Sequence, residues 1–137
     1  MKASYQIDTA ENKAYVAQLA EELLQFGTRF PSPCGASFYL GDDGTPWKER
    51  PVETWITCRM AHVYSIGAML HGADEAGVLY RKLAAEAIRG LLGDLKDTVN
   101  GGWYPGLTAD GTILPEKQCY AHAFVILAAS SGKLAGI

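Results

Sequence analysis

Arg50-Pro51-Val52-Glu53-Thr54-Trp55-Ile56-Thr57-Cys58-Arg59-Met60-Ala61-His62-Val63-Tyr64 is the stretch from which the rest of the chain can be read. It is predicted to be a helix, mostly apolar, with Pro51 in its first turn. Trp55, Arg59 and His62 fall at i, i+4 and i+7, so they share one face. A guanidinium on an apolar helix is costly to bury unless an acceptor meets it. Two acceptors are open to Arg59: a carboxylate of the same protein, such as Glu53, or a ligand.

Working outward, the chain has 137 residues, 48% hydrophobic and 20% charged, enough for one domain with a real core. The net charge of -3, with no basic run, gives a nucleic acid or an anionic membrane no electrostatic footprint. No apolar run reaches membrane-spanning length, and the N-terminus does not read as a secretory leader. Cys34, Cys58 and Cys119 are odd in number and unclustered. They are expected to be free buried thiols in a soluble, reducing, cytoplasmic setting.

Four main helices are expected, with two short β-hairpins. After a loose arm over residues 1–8, Asp8 and Glu11 suggest a capping box. The first helix then runs from Ala10 to about Phe26, with Val16, Leu19, Leu23 and Phe26 on one face, Glu11, Lys13, Gln18 and Glu22 on the other, and Gly27 as its stop. A hairpin over residues 37–46 turns at Asp43-Gly44. The central helix ends near His71 at Gly72. Asp74 caps a third helix whose apolar face is Val78, Leu79, Leu83, Ala87, Ile88, Leu91 and Leu92. Trp103-Tyr104 and the turn over residues 109–112 read as a second hairpin. Pro115 opens a fourth helix to about Ser131, closed by Gly132.

The two halves answer to one another. Phe38-Tyr39, Asp43-Gly44-Thr45 and Ala61-His62 match Trp103-Tyr104, Asp110-Gly111-Thr112 and Ala121-His122. Repeats of helix pairs indicate an α-solenoid or an α/α toroid, in which about three repeats are wanted for a stable stack. Residues 1–137 are therefore expected to be the opening portion of a longer domain, with an open helical flank available for association between copies.

Two segments carry a family likeness: residues 54–65, Thr-Trp-Ile-Thr-Cys-Arg-Met-Ala-His-Val-Tyr-Ser, and Gly101-Gly102-Trp103-Tyr104 followed by residues 117–124, Lys-Gln-Cys-Tyr-Ala-His-Ala-Phe. Together they resemble the N-acylglucosamine 2-epimerase superfamily, and within it the aldose–ketose isomerases that act on mannose or on sulfoquinovose. The resemblance implies an all-α fold, part of an (α/α)6 barrel, with the site in the mouth of the inner helices. It implies a small sugar as ligand, proton transfer at C2 through a cis-enediol, and no metal or organic cofactor. It implies that Arg59 and Tyr120 line the sugar site, and that the branch's acid/base histidines belong to later helices.

Residue by residue, Arg59 suits the oxygen that gains charge when a proton leaves the carbon beside a carbonyl. Tyr120 can donate to a sugar hydroxyl, and Trp55 and Trp103 can offer ring faces to one. Each of these aromatics has core packing as its alternative. His62 and His122 are the titratable candidates for acid/base work within the chain, with a buried neutral imidazole on a backbone partner as the other reading. His71 reads as a favourable charge at a helix C-terminus. Asp43 and Asp110 are turn residues first. No phosphate loop and no metal-ligand spacing is visible. Two functions remain open: a sugar isomerase or 2-epimerase, and a non-catalytic chain that binds sugar or self-associates.

Overall fold

The computed structural model describes residues 7–137. These form four helices and two small antiparallel sheets, as expected: α1 (Ala10–Phe26), β1 (Tyr39–Leu40), β2 (Pro46–Trp47), β3 (Val52–Glu53), α2 (Thr54–His71), α3 (Glu75–Leu92), β4 (Gly106–Leu107) and α4 (Cys119–Ala135). Strand β1 pairs with β2, and β3 pairs with β4, with Val52 opposite Leu107. The helix α2 is central and packs against both α3 and α4.

Small side chains allow that packing. Buried on α2 are Thr57, Cys58, Ala61, Ser65, Gly67 and Ala68, and on α4 Ala121, Ala128, Ser131, Gly132 and Ala135. The larger core groups, Phe30, Tyr64, Tyr80 and Leu95, are almost fully enclosed. Tyr64 donates to the Leu24 carbonyl at 2.8 Å and lies over Phe30 with ring centroids 5.5 Å apart. Gly90 marks the closest approach: a Cβ there would lie 2.5 Å from Ala36 N and 2.6 Å from Gly35 C, both main-chain atoms.

The two Asp-Gly-Thr tips share one hydrogen-bond pattern. In the first, Gly41 N donates to Thr45 O at 2.9 Å and Gly44 N to Gly41 O at 2.8 Å. In the second, Thr108 N donates to Thr112 O and Gly111 N to Thr108 O, both at 2.9 Å. Asp43 and Asp110 each accept from the Thr two residues on. Both are turn residues, as read from the sequence.

Several expectations shift. The arm over residues 1–8 lies largely outside the described residues; Ile7 and Asp8 form a turn. The N-cap of α1 is Thr9, whose hydroxyl accepts from Asn12 N at 3.2 Å, so the Asp8 box is one residue out. The expected α1 face is exposed: Val16 53%, Leu19 38%, Leu23 61%, Phe26 44%, with only Leu24 buried on that helix. An amphipathic stripe marks a face but supplies no partner, and α1 meets α2 sparsely. In α3 the Asp74 cap is as expected, accepting from Gly77 N at 2.7 Å. Leu83, Ala87 and Leu91 are buried, whereas Val78, Leu79 and Leu92 are exposed, and Tyr80 joins the core.

Pro51 does not open α2. It precedes β3, where a residue with fixed φ and no N–H is tolerated, and Glu53 stays extended (φ -115, ψ 143) as the N-cap. Trp103-Tyr104 stands outside the second hairpin: Trp103 bridges to Lys96, and Leu107 and Ile113 flank the turn instead. The helix α4 begins four residues later than expected, at Cys119. Glu116 holds a positive φ of 65, and Lys117 reaches the Gly101 carbonyl at 2.6 Å and the Asp97 carboxylate. Gly132 lies inside α4, where its missing side chain makes room for Ile88; the cap is Gly136, at φ 72. The three cysteines are free, but only Cys58 is buried; Cys34 is half-buried and Cys119 exposed. Burial pushes the Cys58 thiol up to about 12. No helix among the described residues is long and apolar enough to cross a membrane.

Asp97 was not anticipated. Its carboxylate accepts from Asn100 N at 2.9 Å and Val99 N at 3.0 Å and pairs with Lys117, so it closes the loop between α3 and β4. The Asn100 N–H first, and Lys117 next, hold its pKa well below the usual carboxylate range.

Replacing Gly90 by Ala drives a methyl into backbone that cannot move aside; a loss of about 1–3 kcal/mol is expected in denaturant unfolding. A pH effect is expected at the anchor of α1. His71 contacts Asp74 at 3.1 Å and Glu21 at 2.9 Å, and Tyr80 donates to Glu21 at 2.8 Å. Hydrogen bonds to Asp74 and then Glu21 raise the His71 pKa above its ordinary 6.5. Its contribution is thus complete below pH 6.5 and lost as pH rises through the raised value. Glu21 is lowered, chiefly by the Tyr80 hydroxyl, and its contribution is lost as pH falls through that lowered value. Amide exchange in α1 should accelerate as the pH is raised from 6.5. An equal acceleration in His71→Ala, after correction for intrinsic exchange, would show that the anchor lies elsewhere.

Candidate functional site

The N-terminus of α2 is tied to both hairpin regions. Thr54 N donates to Pro105 O at 2.9 Å, and Thr54 Oγ1 donates to Tyr104 O at 2.6 Å. Thr57 Oγ1 donates to Glu53 O at 2.8 Å and accepts from Ser37 N at 2.9 Å. Both threonines are fully buried. This fixes the rotation of the helix, and with it the direction of Trp55 and Arg59.

Arg59 is exposed and lies among aromatic rings. Its Cζ is 4.7 Å from the Trp55 ring centroid and 5.0 Å from that of Phe124. Tyr120 completes the cluster, edge-on to Trp55 at 5.8 Å and to Phe124 at 4.9 Å. Among the described residues Arg59 has no ion pair and no hydrogen bond. The carboxylate that might have taken it, Glu53, instead accepts from the Tyr39 hydroxyl, whose pKa rises to about 12 through burial and then that bond. Tyr39 in turn lies under Arg50, whose Cζ is 4.6 Å from the ring centroid. Two aromatic faces attract a cation without using its N–H groups, so the Arg59 donors remain available to an acceptor from solution. The Tyr120 hydroxyl is likewise without a protein partner, at 53% exposure.

The structure thus brings together three of the expected residues, Trp55, Arg59 and Tyr120, and adds Phe124. Phe124 was legible as the i+4 neighbour of Tyr120 on α4. His62 lies between α2 and α4, half-buried, with Nδ1 2.6 Å from Ser131 Oγ.

The remaining two face elsewhere. His122 Nε2 accepts from Trp103 N at 3.1 Å, and His122 Nδ1 donates to the Gln118 carbonyl at 2.8 Å. Trp103 donates its indole N–H to Leu91 O at 2.7 Å and meets His122 edge-on. Together they bind the Gly101-Gly102 turn to α4: a Cβ on Gly102 would lie 2.5 Å from His122 Nε2.

Arg59 also borders an apolar groove of about 250 Å³ shared with Phe26, Tyr39, Met60 and Val63. A larger cavity, about 370 Å³, is bounded by both hairpins and touches none of the expected site residues. Among the described residues no group of three or more His, Cys, Asp and Glu is placed to hold a metal ion.

Comparison with known proteins places the chain. Residues 35–137 match the family described as N-acylglucosamine 2-epimerase (GlcNAc 2-epimerase). A D-mannose isomerase of Thermobifida fusca is 37% identical over 128 residues, which is 93% of this chain and 30% of that protein. A D-mannose isomerase of Pseudomonas cannabina pv. alisalensis is 40% identical over 83 residues, 61% of this chain and 19% of that protein. The solved structure of cellobiose 2-epimerase from Spirochaeta thermophila DSM 6192 superposes with a TM-score of 0.70 at 23% identity, over 93% of this chain and 33% of that one. This chain therefore spans about a third of the length of that structure and less of the two isomerases. The fold is all-α, part of an (α/α)6 barrel.

The contrast between Arg59 and His122 is measurable. Arg59→Ala removes no hydrogen bond and should change the unfolding free energy by less than about 1 kcal/mol. His122→Ala strands the Trp103 N–H and should cost about 1–3 kcal/mol in the same denaturant titration. Equal losses would mean that the aromatic cluster is a structural element like any other.

Proposed function

The chain belongs to the N-acylglucosamine 2-epimerase family, and from that premise we propose that it carries the oxyanion-stabilising part of a sugar isomerase site acting on a mannose-like aldose. The observation that supports this best is Arg59, exposed, clasped by two aromatic rings and unpaired, in a chain 37% identical to a D-mannose isomerase.

The reaction that fits is aldose–ketose interconversion. A base removes the C2 proton of the open-chain sugar, and the electron pair moves through C1 to the carbonyl oxygen. The enediolate then takes a proton at C1, and the O2 proton passes to O1, leaving the ketose. Atoms and charges balance without an external oxidant or reductant. Arg59 would act where charge gathers, on O1, and a preorganised donor facing that oxygen is worth more to the transition state than to the neutral sugar. Tyr120 would hold a hydroxyl through its unpartnered O–H. Trp55 and Phe124 would offer ring faces to the C–H surface of a sugar. In this reading residues 1–137 are the opening helix pairs of a longer barrel domain, and the activity belongs to that domain's architecture.

A second reading is favoured by one observation. Val63, Ile66, Met69 and Leu70 of α2 are exposed at 41%, 38%, 45% and 72%. Such an apolar face promotes association between copies, and a self-associating chain that binds sugar without turnover would show a mass above the monomer in light scattering.

The experiment is C2–H exchange. The chain is incubated with mannose in heavy water, and the C2–H signal of the aldose is followed by NMR. Loss of that signal should slow by about 100-fold or more in Arg59→Ala and by about tenfold in Tyr120→Phe. Exchange at the same rate in Arg59→Ala would remove the guanidinium from the chemistry. N-acetylglucosamine in the same tube separates an aldose–ketose isomerase from a 2-epimerase by product.

A further inference from the structure

The cavity of about 370 Å³ between the two hairpin regions is drawn from segments 32–38, 48–52 and 107–111 and from Asp94. Val52 and Leu107, opposite one another on β3 and β4 and each 7% exposed, give it an apolar wall, with Phe38 and Pro33 beside them. That volume lies in the range of small-molecule sites, which combine apolar walls with a few placed polar groups. Here the polar side chains are those of Arg50, Lys48, Ser32, Cys34, Thr108 and Asp94.

Two of these are cations without a counter-ion. Arg50 N donates to Trp47 O at 3.4 Å, closing a turn in which Lys48 and Arg50 border the cavity and Glu49 does not. Neither Lys48 nor Arg50 has an ion pair among the described residues. The Arg50 guanidinium lies over two rings, with Cζ 4.6 Å from the Tyr39 centroid and 5.3 Å from that of Trp47. Arg59 is held by the same device: ring faces fix the cation and leave its N–H groups free. The Glu53 carboxylate is already engaged by the Tyr39 hydroxyl. The Ser32 hydroxyl, 6% exposed, meets the Cys34 thiol at 3.2 Å, and sulfur is a weak partner. Among the described residues Asp94 is the only carboxylate that lines the cavity. Part of its charge is met from α3 by Arg89, whose pKa is raised first by Glu86 and also by Asp94.

We propose that this cavity is a second small-molecule site, for a phosphate monoester whose anion is taken by Arg50 and Lys48 and whose apolar body lies on the Val52–Leu107 wall. Charge decides the class. A phosphate monoester carries about −1.5 to −2 at pH 7 and so matches two cations, whereas a carboxylate brings a single charge. Arg meets phosphate oxygens with a planar fork, and Lys meets them as a point charge. Inorganic phosphate would satisfy the cations but leave the apolar wall bare. The site is independent of the sugar reading, since none of Trp55, Arg59, Tyr120 and Phe124 lines the cavity.

The test is an NMR titration of the ¹⁵N-labelled full chain with phenyl phosphate. The Trp47 indole N–H and the amides of residues 107–111 should move saturably, while the Trp55 indole, beside Arg59, stays in place. Affinity should fall by about tenfold in Arg50→Gln, the lower end for a lost charged hydrogen bond, and by about threefold in Lys48→Gln. Asp94→Asn should tighten binding by about threefold. Inorganic phosphate and benzoate should each bind more weakly, and added salt should weaken phenyl phosphate. The same spectra show whether each variant is folded. No saturation in the millimolar range, or shifts centred on Trp55, overturns the site. Affinity unchanged in both Arg50→Gln and Lys48→Gln overturns the role of the two cations. Benzoate as tight as phenyl phosphate overturns the phosphate class, and inorganic phosphate as tight overturns the apolar body. Each of these failures leaves C2–H exchange at Arg59 untouched, so the two readings fall separately.

Discussion

Everything at the mouth of this fold depends on how the N-terminus of α2 is held. A helix begins with N–H groups that need partners, and here the first partners come from outside the helix. Thr54 takes the Pro105 and Tyr104 carbonyls, and Thr57 takes the Ser37 N–H while donating back to Glu53. Both hairpin regions are thereby fastened to one turn of one helix. Because the side chains involved are fully buried, a misaligned partner would leave a polar group without water. The rotation of α2 about its axis is fixed by that requirement, and Trp55 and Arg59 inherit their direction from it.

That direction matters because Arg59 is not neutralised. A carboxylate at this point would hold the guanidinium more tightly, but it would also occupy the donors and cancel the charge. Aromatic faces do the positioning at smaller cost to the charge, since cation–π contact at an exposed site is worth roughly 0.5–1 kcal/mol. Glu53, the acidic residue nearest in sequence, is diverted to Tyr39, and Arg50 to the rings of Tyr39 and Trp47. Among the described residues Arg59, beside Trp55, Tyr120 and Phe124, keeps its N–H donors without a carboxylate or carbonyl partner.

The sequence made much of this legible, through features that are local. The α2 periodicity, the Asp74 cap, the Gly72 stop and both Asp-Gly-Thr turns follow from chemistry within a few residues. What it missed depends on distant partners. Pro115 is a sound helix opener in isolation, but the Asp97–Lys117 pair holds the following residues in a turn until Cys119. Gly132 is a sound helix stop until α3 brings Ile88 against it. The apolar stripe of α1 is legible as a stripe, but its exposure is not, because that depends on a packing partner the periodicity does not name. In the site, Arg59, Trp55 and Tyr120 were visible as residue types on faces. The contact of Ser131 with His62 was not, because placing the end of α4 there hid Ser131 as a terminal residue, when it is an interior one facing α2.

The repeat shows what a fold can do with one motif used twice. Ala61-His62 and Ala121-His122 occupy matching places, and both alanines are fully buried where the helices pack. The histidines that follow have gone separate ways for a topological reason. The second half has a Gly-rich turn, Gly101-Gly102, whose bare backbone comes close enough for the Trp103 N–H to reach His122. That bond uses the imine nitrogen and makes the ring a strut between loop and helix. His62 meets a helix instead of a loop, and a hydroxyl instead of a carbonyl. Its Nδ1 is fixed by a partner on the neighbouring helix, and its Nε2 is left to the solvent side. One position of the repeat ties a loop to a helix through both ring nitrogens, and the other ties helix to helix through one, leaving its second nitrogen without a partner among the described residues.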